Sequence, residues 1–406
     1  MTLFKEHKLS ANQLLSFIPE ALLEHLSTTT KVDHYSKVLH GKKIFYLLLF
    51  AILDNDRLSQ RTLEDTFNGS VFKNLFNMDE SETVRRSSIS ERLSKIDSSY
   101  FKEIFEFLYD KFSEHYTLGE RHGHNLIRVD STIVSHAASK LKQGIDHGSG
   151  KKMIKFSTCF DGILPAGVEV FDQQAYGSED IALPEAIYKH VKKDPDHSNI
   201  YIIDRGLQST RNMKDFSDRS LGFIARTKEN RKFEETKNLM ENDQQVDLGE
   251  LMLVRDSQVN LYTGIAINNK KGNVHFRETK IETPFRLVVA RSKAEQQKEY
   301  WFLTNNFELS AKQITDYYRR RWDIEVFFRF IKQELHVSHL VSLNKNGIEV
   351  MLYMTLIVAI LILIYKKANG LGYKTAKRRL TTEIKELAIA IMIILSGGDP
   401  GKIFKT

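Results

Sequence analysis

Cysteine is nearly absent: Cys159 is the only one in 406 residues. A disulfide framework and a cysteine-based zinc site are both excluded, and a reducing compartment suits the chain. The fourteen histidines form no HExxH motif or paired ligand spacing, which argues against a zinc hydrolase. Internal repeats and low-complexity tracts are missing as well. The segment MTLFKEHKLS lacks the basic, apolar and small-residue succession of a secretory signal, so a cytoplasmic location is expected. The best membrane candidate is Val350 to Tyr365, sixteen uncharged residues between Glu349 and Lys366. A helix of that length spans about 24 Å against a hydrocarbon core of about 30 Å, so a buried core helix is expected and no membrane partner.

What the chain does have is length for two or three domains, 41% hydrophobic residues and hence material for a sizeable core. A net charge of +7 favours a polyanionic partner, although mild basicity alone is not specific. The informative stretch is Tyr318 to Lys332, YRRRWDIEVFFRFIK. It contains no Pro or Gly, Ser310 stands upstream as an N-cap, and the apolar spacing predicts one helix from about Ser310 to Leu335. With Tyr318 at zero, Arg321 falls near about −60°, Glu325 near about −20° and Lys332 near about −40°, one narrow polar stripe. Ile324, Phe327, Phe328, Ile331 and Leu335 fall on the opposite, core-facing side. A charged stripe opposite an apolar one is usually a solvated face; here the order of residue types is the stronger signal.

That order, Tyr-x2-Arg-x3-Glu-x6-Lys, resembles the signature closing the catalytic domain of DDE transposases of the insertion-sequence-four family. The resemblance implies two further acids upstream, each at the tip of an apolar strand. Asn125-Leu-Ile-Arg-Val-Asp130 and Asn199-Ile-Tyr-Ile-Ile-Asp204 meet that requirement. Either aspartate taken singly reads as a turn residue; the two in this order, followed by the striped helix, do not. Strands over Lys152 to Phe160 and Gly167 to Phe171, a helix over Ile181 to Lys193, a helix from about Ser209 and a strand over Gly222 to Arg226 complete the pattern. This is the order of an α/β, RNase H-like core, in which the first and fourth strands are neighbours. Asp161, Asp172, Asp180 and Asp323 lack such placement and read as turn, cap or solvent residues.

The expected organisation is an N-terminal helical domain over residues 1–120, the first part of the core over 121–230, a β-rich insertion over 231–305, the closing catalytic helix over 306–340 and C-terminal helices over 341–406. Ser59 and Ser88-x-x-Glu91 carry capping signals in the first of these. Its segments Arg57 to Phe67 and Val84 to Leu93 are candidates for DNA-reading helices, so end recognition is assigned there by the company the domain keeps.

Phosphodiester chemistry needs an activated oxygen, charge relief at phosphorus and a stabilised leaving oxygen, all of which two hard divalent cations supply. Asp130 is assigned as the shared metal ligand, with Asp204 and Glu325 each completing one site for Mg²⁺ or Mn²⁺. Tyr318, Arg321 and Lys332 suit phosphate oxygens. Arg205 and Arg226 add phosphate contacts from the strand ends. Trp322 with Arg329 is either a stacking surface for a splayed base or, in the case of Trp322, a core residue. Tyr300 or Trp301 matches the aromatic that such transposases set against a flipped base, with the register between them open. The resemblance implies double-stranded DNA partners, namely terminal inverted repeats and target DNA, a DNA-bound homodimer, a nucleoid-associated location in a bacterial-type cytoplasm and no small-molecule cofactor. It also implies cut-and-paste chemistry through a hairpin intermediate. The competing readings are a structure-specific nuclease on the same core and an inactive, transposase-derived DNA-binding regulator. A glycosidase is disfavoured because the cations beside Glu325 would lower rather than raise an acid's pKa.

Overall fold

Strand β1, Asn125–Val134, is the one on which the sheet is built. Its apolar residues are buried on both faces, Leu126 in one core cluster and Ile127 and Val129 in another, as in a strand covered by helices on either side. In the computed structural model, residues 8–113, 115, 124–134, 141, 144–146, 148, 152–192, 194–240, 246–268, 274–295, 298–337 and 341–404 are described. After the short β2, Ile145–Asp146, come β3, Lys152–Phe160, and β4, Pro165–Phe171, then β5, Asn199–Ile203, and β6, Gly222–Thr227. Antiparallel pairing of β1 with β3 and β3 with β4, and parallel pairing of β1 with β5 and β5 with β6, give the spatial order β4-β3-β1-β5-β6. That is the RNase H-like order expected from the sequence.

Three more strands, β7, Phe233–Asn238, β8, Leu251–Asn268, and β9, Val274–Ser292, extend this sheet through β10, Glu299–Thr304, which pairs with both β6 and β9. The β-rich insertion expected over 231–305 thus consists largely of two long strands whose pairing carries register shifts at Leu253/Arg255 and Asn260/Tyr262.

Seven helices precede the sheet among the described residues: α1, Ala11–Leu15; α2, Glu20–Thr29; α3, Gly41–Asp54; α4, Gln60–Asn68; α5, Ser70–Leu75; α6, Arg86–Lys95; and α7, Ser98–Ser113. Ser59 caps α4 as expected, but α6 starts at Arg86 with Arg85 as its N-cap, so Ser88 lies within the first turn and does not cap. Between strands lie α8, Glu179–Val191, and α9, Thr210–Asp218, which cover the Val129 face of the sheet. The opposite face is covered by α10, Ala311–Arg319, while α11, Trp322–Gln333, joins the helical core. The chain closes with α12, Lys345–Asn369, and α13, Tyr373–Leu395.

Helix α12 is apolar and long enough to cross a membrane, yet 94% of its apolar window is buried inside the protein. Its Leu, Ile and Val side chains share one core with α3, α6, α7 and α11. At about 1.5 to 3 kcal/mol for each large apolar side chain removed from water, this helix welds the N-terminal helices to α11 and the sheet.

Candidate active site

The parallel register sets Val129 against Ile203. One residue further on each chain, Asp130 and Asp204 therefore stand side by side; Asp204 follows the end of β5, whereas Asp130, expected at a strand tip, lies inside β1, which runs on to Val134 because its second half still pairs with β3. The backbone N–H of Ser131 donates to Asp130 Oδ1 at 2.8 Å. Burial nevertheless pushes the Asp130 carboxyl up to about 6, with Asp204 and Glu179 adding repulsion and Ser131 and Arg321 opposing it. Beyond Asp204 the chain turns into α9. Asp180 fixes that turn by accepting the backbone N–H groups of Gln208 and Ser209, both at 2.7 Å, a structural role consistent with its reading as a turn or cap residue.

The single helix expected over Ser310 to Leu335 is two. Ser310 caps α10 in a reciprocal bond pair with Gln313, but the ladder tightens at Arg320 and Arg321. There Arg320 N–H donates to Tyr317 O at 3.0 Å and Arg321 N–H to Tyr318 O at 2.9 Å, three residues back rather than four. A side chain from another element reaches this turn: Arg128 Nε donates to the Arg320 carbonyl at 3.1 Å. Beyond the break, Ile324, Phe327, Phe328, Ile331 and Leu335 are buried as the helical spacing predicts.

The break leaves the polar residues facing the aspartates. Arg321 Nε lies 3.7 Å from Asp204 Oδ1, its Nη1 lies 3.7 Å from Asp130 Oδ2, and its Nη2 is ion-paired with Glu325. One guanidinium thus touches all three carboxylates. Burial pulls its pKa down, but Glu325 and Asp204 outweigh that and the net movement is upward. Tyr318 donates its hydroxyl to Asp204 Oδ1 at 3.3 Å. Burial, then the Asp204 charge, raises its pKa, so it stays a phenol and a donor. Lys332 is exposed; partial desolvation lowers its pKa and nearby Asp130 opposes the shift.

The outer residues separate by sheet face. Trp322 is 53% exposed, which excludes the core reading, and the Arg329 guanidinium lies 5.9 Å from its ring centroid. Tyr300 is in the cluster that contains Tyr318 and carries the Arg226 guanidinium 4.7 Å from its ring centroid. Trp301 belongs to the opposite face, against Phe233 at 5.9 Å, so the structure does not bring it to the carboxylates. Arg205 is exposed directly after Asp204.

Sequence reasoning missed several neighbours. Ser131 Oγ donates to Glu179 Oε2 at 2.8 Å, and buried Lys155 Nζ donates to Glu179 Oε1 at 2.9 Å. Glu179 also stands against Gly206, where an added Cβ would meet its Cγ at 2.9 Å. It touches Ser131 inside β1 and Gly206 just after β5, yet in the sequence it reads only as an acid in a helix's first turn. Asp323, read as a solvent residue, is instead bound by Arg128 Nη2 at 2.8 Å.

Among the described residues, no group of three His, Cys, Asp or Glu side chains stands at metal-ligand spacing, because the Arg321 guanidinium lies between the carboxylates. The donor set itself is hard oxygen, and the raised Asp130 carboxyl marks a place where added positive charge is favourable. In that chemical sense the residues fit divalent cations, provided that Arg321 swings out toward a phosphate.

A family model described as a transposase DDE domain matches residues 121–361. A protein of Synechocystis sp. described as a transposase for insertion sequence element IS4SA is 27% identical over 351 residues, covering 84% of this chain and 85% of that one. Another, from Geobacillus stearothermophilus and described as a transposase for insertion sequence element IS5377, is 25% identical over 280 residues, 68% of this chain and 66% of that one. Among solved structures, a cryo-EM structure of a piggyBac transposase synaptic complex with hairpin DNA aligns with a TM-score of 0.43 and 13% identity, over 96% of this chain and 80% of that one.

Proposed function

The chain belongs to the transposase DDE-domain family, and from that premise we propose that it cleaves DNA at terminal inverted repeats and joins the freed ends to target DNA, as an insertion-sequence-four type enzyme. The observation that carries this reading is the convergence of Asp130, Asp204 and Glu325, from two neighbouring strands and one helix, on a single guanidinium. The three carboxylates would hold a pair of Mg²⁺ or Mn²⁺ ions. Such ions supply an activated oxygen nucleophile and charge relief at phosphorus and at the leaving oxygen.

The remaining residues act on the DNA itself. Arg321 exchanges its carboxylates for phosphate oxygens, which its planar fork accepts in pairs. Tyr318 remains protonated and orients Asp204. Lys332 adds a point charge, and Arg205 and Arg226 extend the phosphate track. Trp322 with Arg329, and Tyr300 with Arg226, offer stacking surfaces for a base taken out of the helix. One site serves hydrolysis, hairpin formation, reopening and strand transfer because each step is the same displacement at phosphorus. The N-terminal helical domain reads the end sequence, and two protomers assemble on two ends.

The test uses purified protein, a labelled DNA end taken from the flanks of the coding region, and Mg²⁺. Metal-dependent cleavage followed by joining is expected, with both lost in Asp130→Ala, Asp204→Ala and Glu325→Ala. Cleavage without joining points to a nuclease, and binding without cleavage to a regulator.

A further inference from the structure

Arg128 is 3% exposed and sits two residues before Asp130, on the same face of β1. Its guanidinium binds four groups from three places in the chain. Nε donates to the Arg320 carbonyl at 3.1 Å, Nη1 donates to the Leu126 and Asp161 carbonyls at 2.8 Å each, and Nη2 meets Asp323 at 2.8 Å. The cradle is shaped for it. Gly162 has φ +98°, a conformation that favours glycine, and a Cβ there would lie 2.7 Å from Arg128 Nη1. Arg320 and Asp323 flank the tightened turn, and Arg321 and Glu325, which face the aspartates, hang from it.

We infer that Arg128 is a positioning residue: it locks the break between α10 and α11 to strand β1, so that Arg321 and Glu325 are held at a set distance from Asp130. The inference rests on the proposed DNA chemistry for its consequence, though not for its geometry. Lysine cannot replace it, since a single ammonium cannot reach acceptors spread around a planar fork.

The test compares full-length wild type with Arg128→Lys. Hydrogen exchange on the metal-free protein should speed up by about tenfold or more across Arg320 to Glu325 while the β1 and β5 amides keep their wild-type rates. The metal concentration for half-maximal end cleavage should rise by about ten- to a hundredfold, with end binding retained. Unchanged exchange across the break in a folded variant overturns the inference, and so does a uniform increase over the whole chain, which is the mark of general destabilisation. Should Arg128→Lys not fold, Asp323→Ala decides: local exchange should again speed up, and wild-type rates there overturn the inference. If wild type itself fails to cleave, the DNA chemistry falls while the exchange measurement still settles whether Arg128 holds the break.

Discussion

Asp130 is strained electrostatically in the protein alone. Its carboxyl is raised to about 6 from an ordinary value of 3.8, first by burial and then by Asp204 and Glu179. The folded state therefore binds the proton more tightly than the unfolded chain does, and stability falls as pH rises through the window between those values. In chelator, the loss attributable to this group is on the order of 2 to 3 kcal/mol between about pH 4 and pH 7. Urea unfolding of Asp130→Asn should lack that loss and should match or exceed wild type at pH 7. Glu179 carries the opposite sign. It is the carboxylate partner of Lys155, whose side chain is 3% exposed, so Glu179→Ala leaves a buried ammonium with one carbonyl, that of Gly177. Thermal or urea unfolding should show a loss of about 3 kcal/mol, partly recovered when Lys155→Met is added.

At the scale of elements, helix ends and strand tips follow local rules. Ser310 caps α10 with Gln313 in return, and Ser310→Ala should cost about 1 kcal/mol in urea unfolding while leaving the sheet intact. Those rules are why the strands and the core face of α11 were legible from residue types and spacing, whereas the two aspartates and the strand order were expected from the family resemblance. What escaped the sequence depends on contacts between distant segments. The break at Arg320 is contacted by a side chain 192 residues earlier, and no periodicity within YRRRWDIEVFF encodes it. Glu179 looked like an ordinary first-turn acid because its value lies in touching two neighbouring strand segments that only the fold brings together. Alternation along β10 made it certain that Tyr300 and Trp301 face opposite ways. Deciding which faces the carboxylates required the pairing of β10 with β6.

Across the whole molecule, the sheet supplies two acids and a helix that crosses its face supplies the third. The helical layer around α12 ties that helix to the N-terminal region, since α11 and α12 share one apolar core with α3, α6 and α7. DNA held by the N-terminal helices would therefore bear on a site with little freedom to drift. The most direct measurement is electron paramagnetic resonance of Mn²⁺ bound to the wild-type protein on an end-containing DNA duplex. Two dipolar-coupled ions about 3.5 to 4 Å apart are expected, with the coupling lost in Asp130→Asn, Asp204→Asn and Glu325→Gln alike. Uncoupled Mn²⁺, or coupling that survives removal of any one of the three carboxylates, would contradict a shared metal pair.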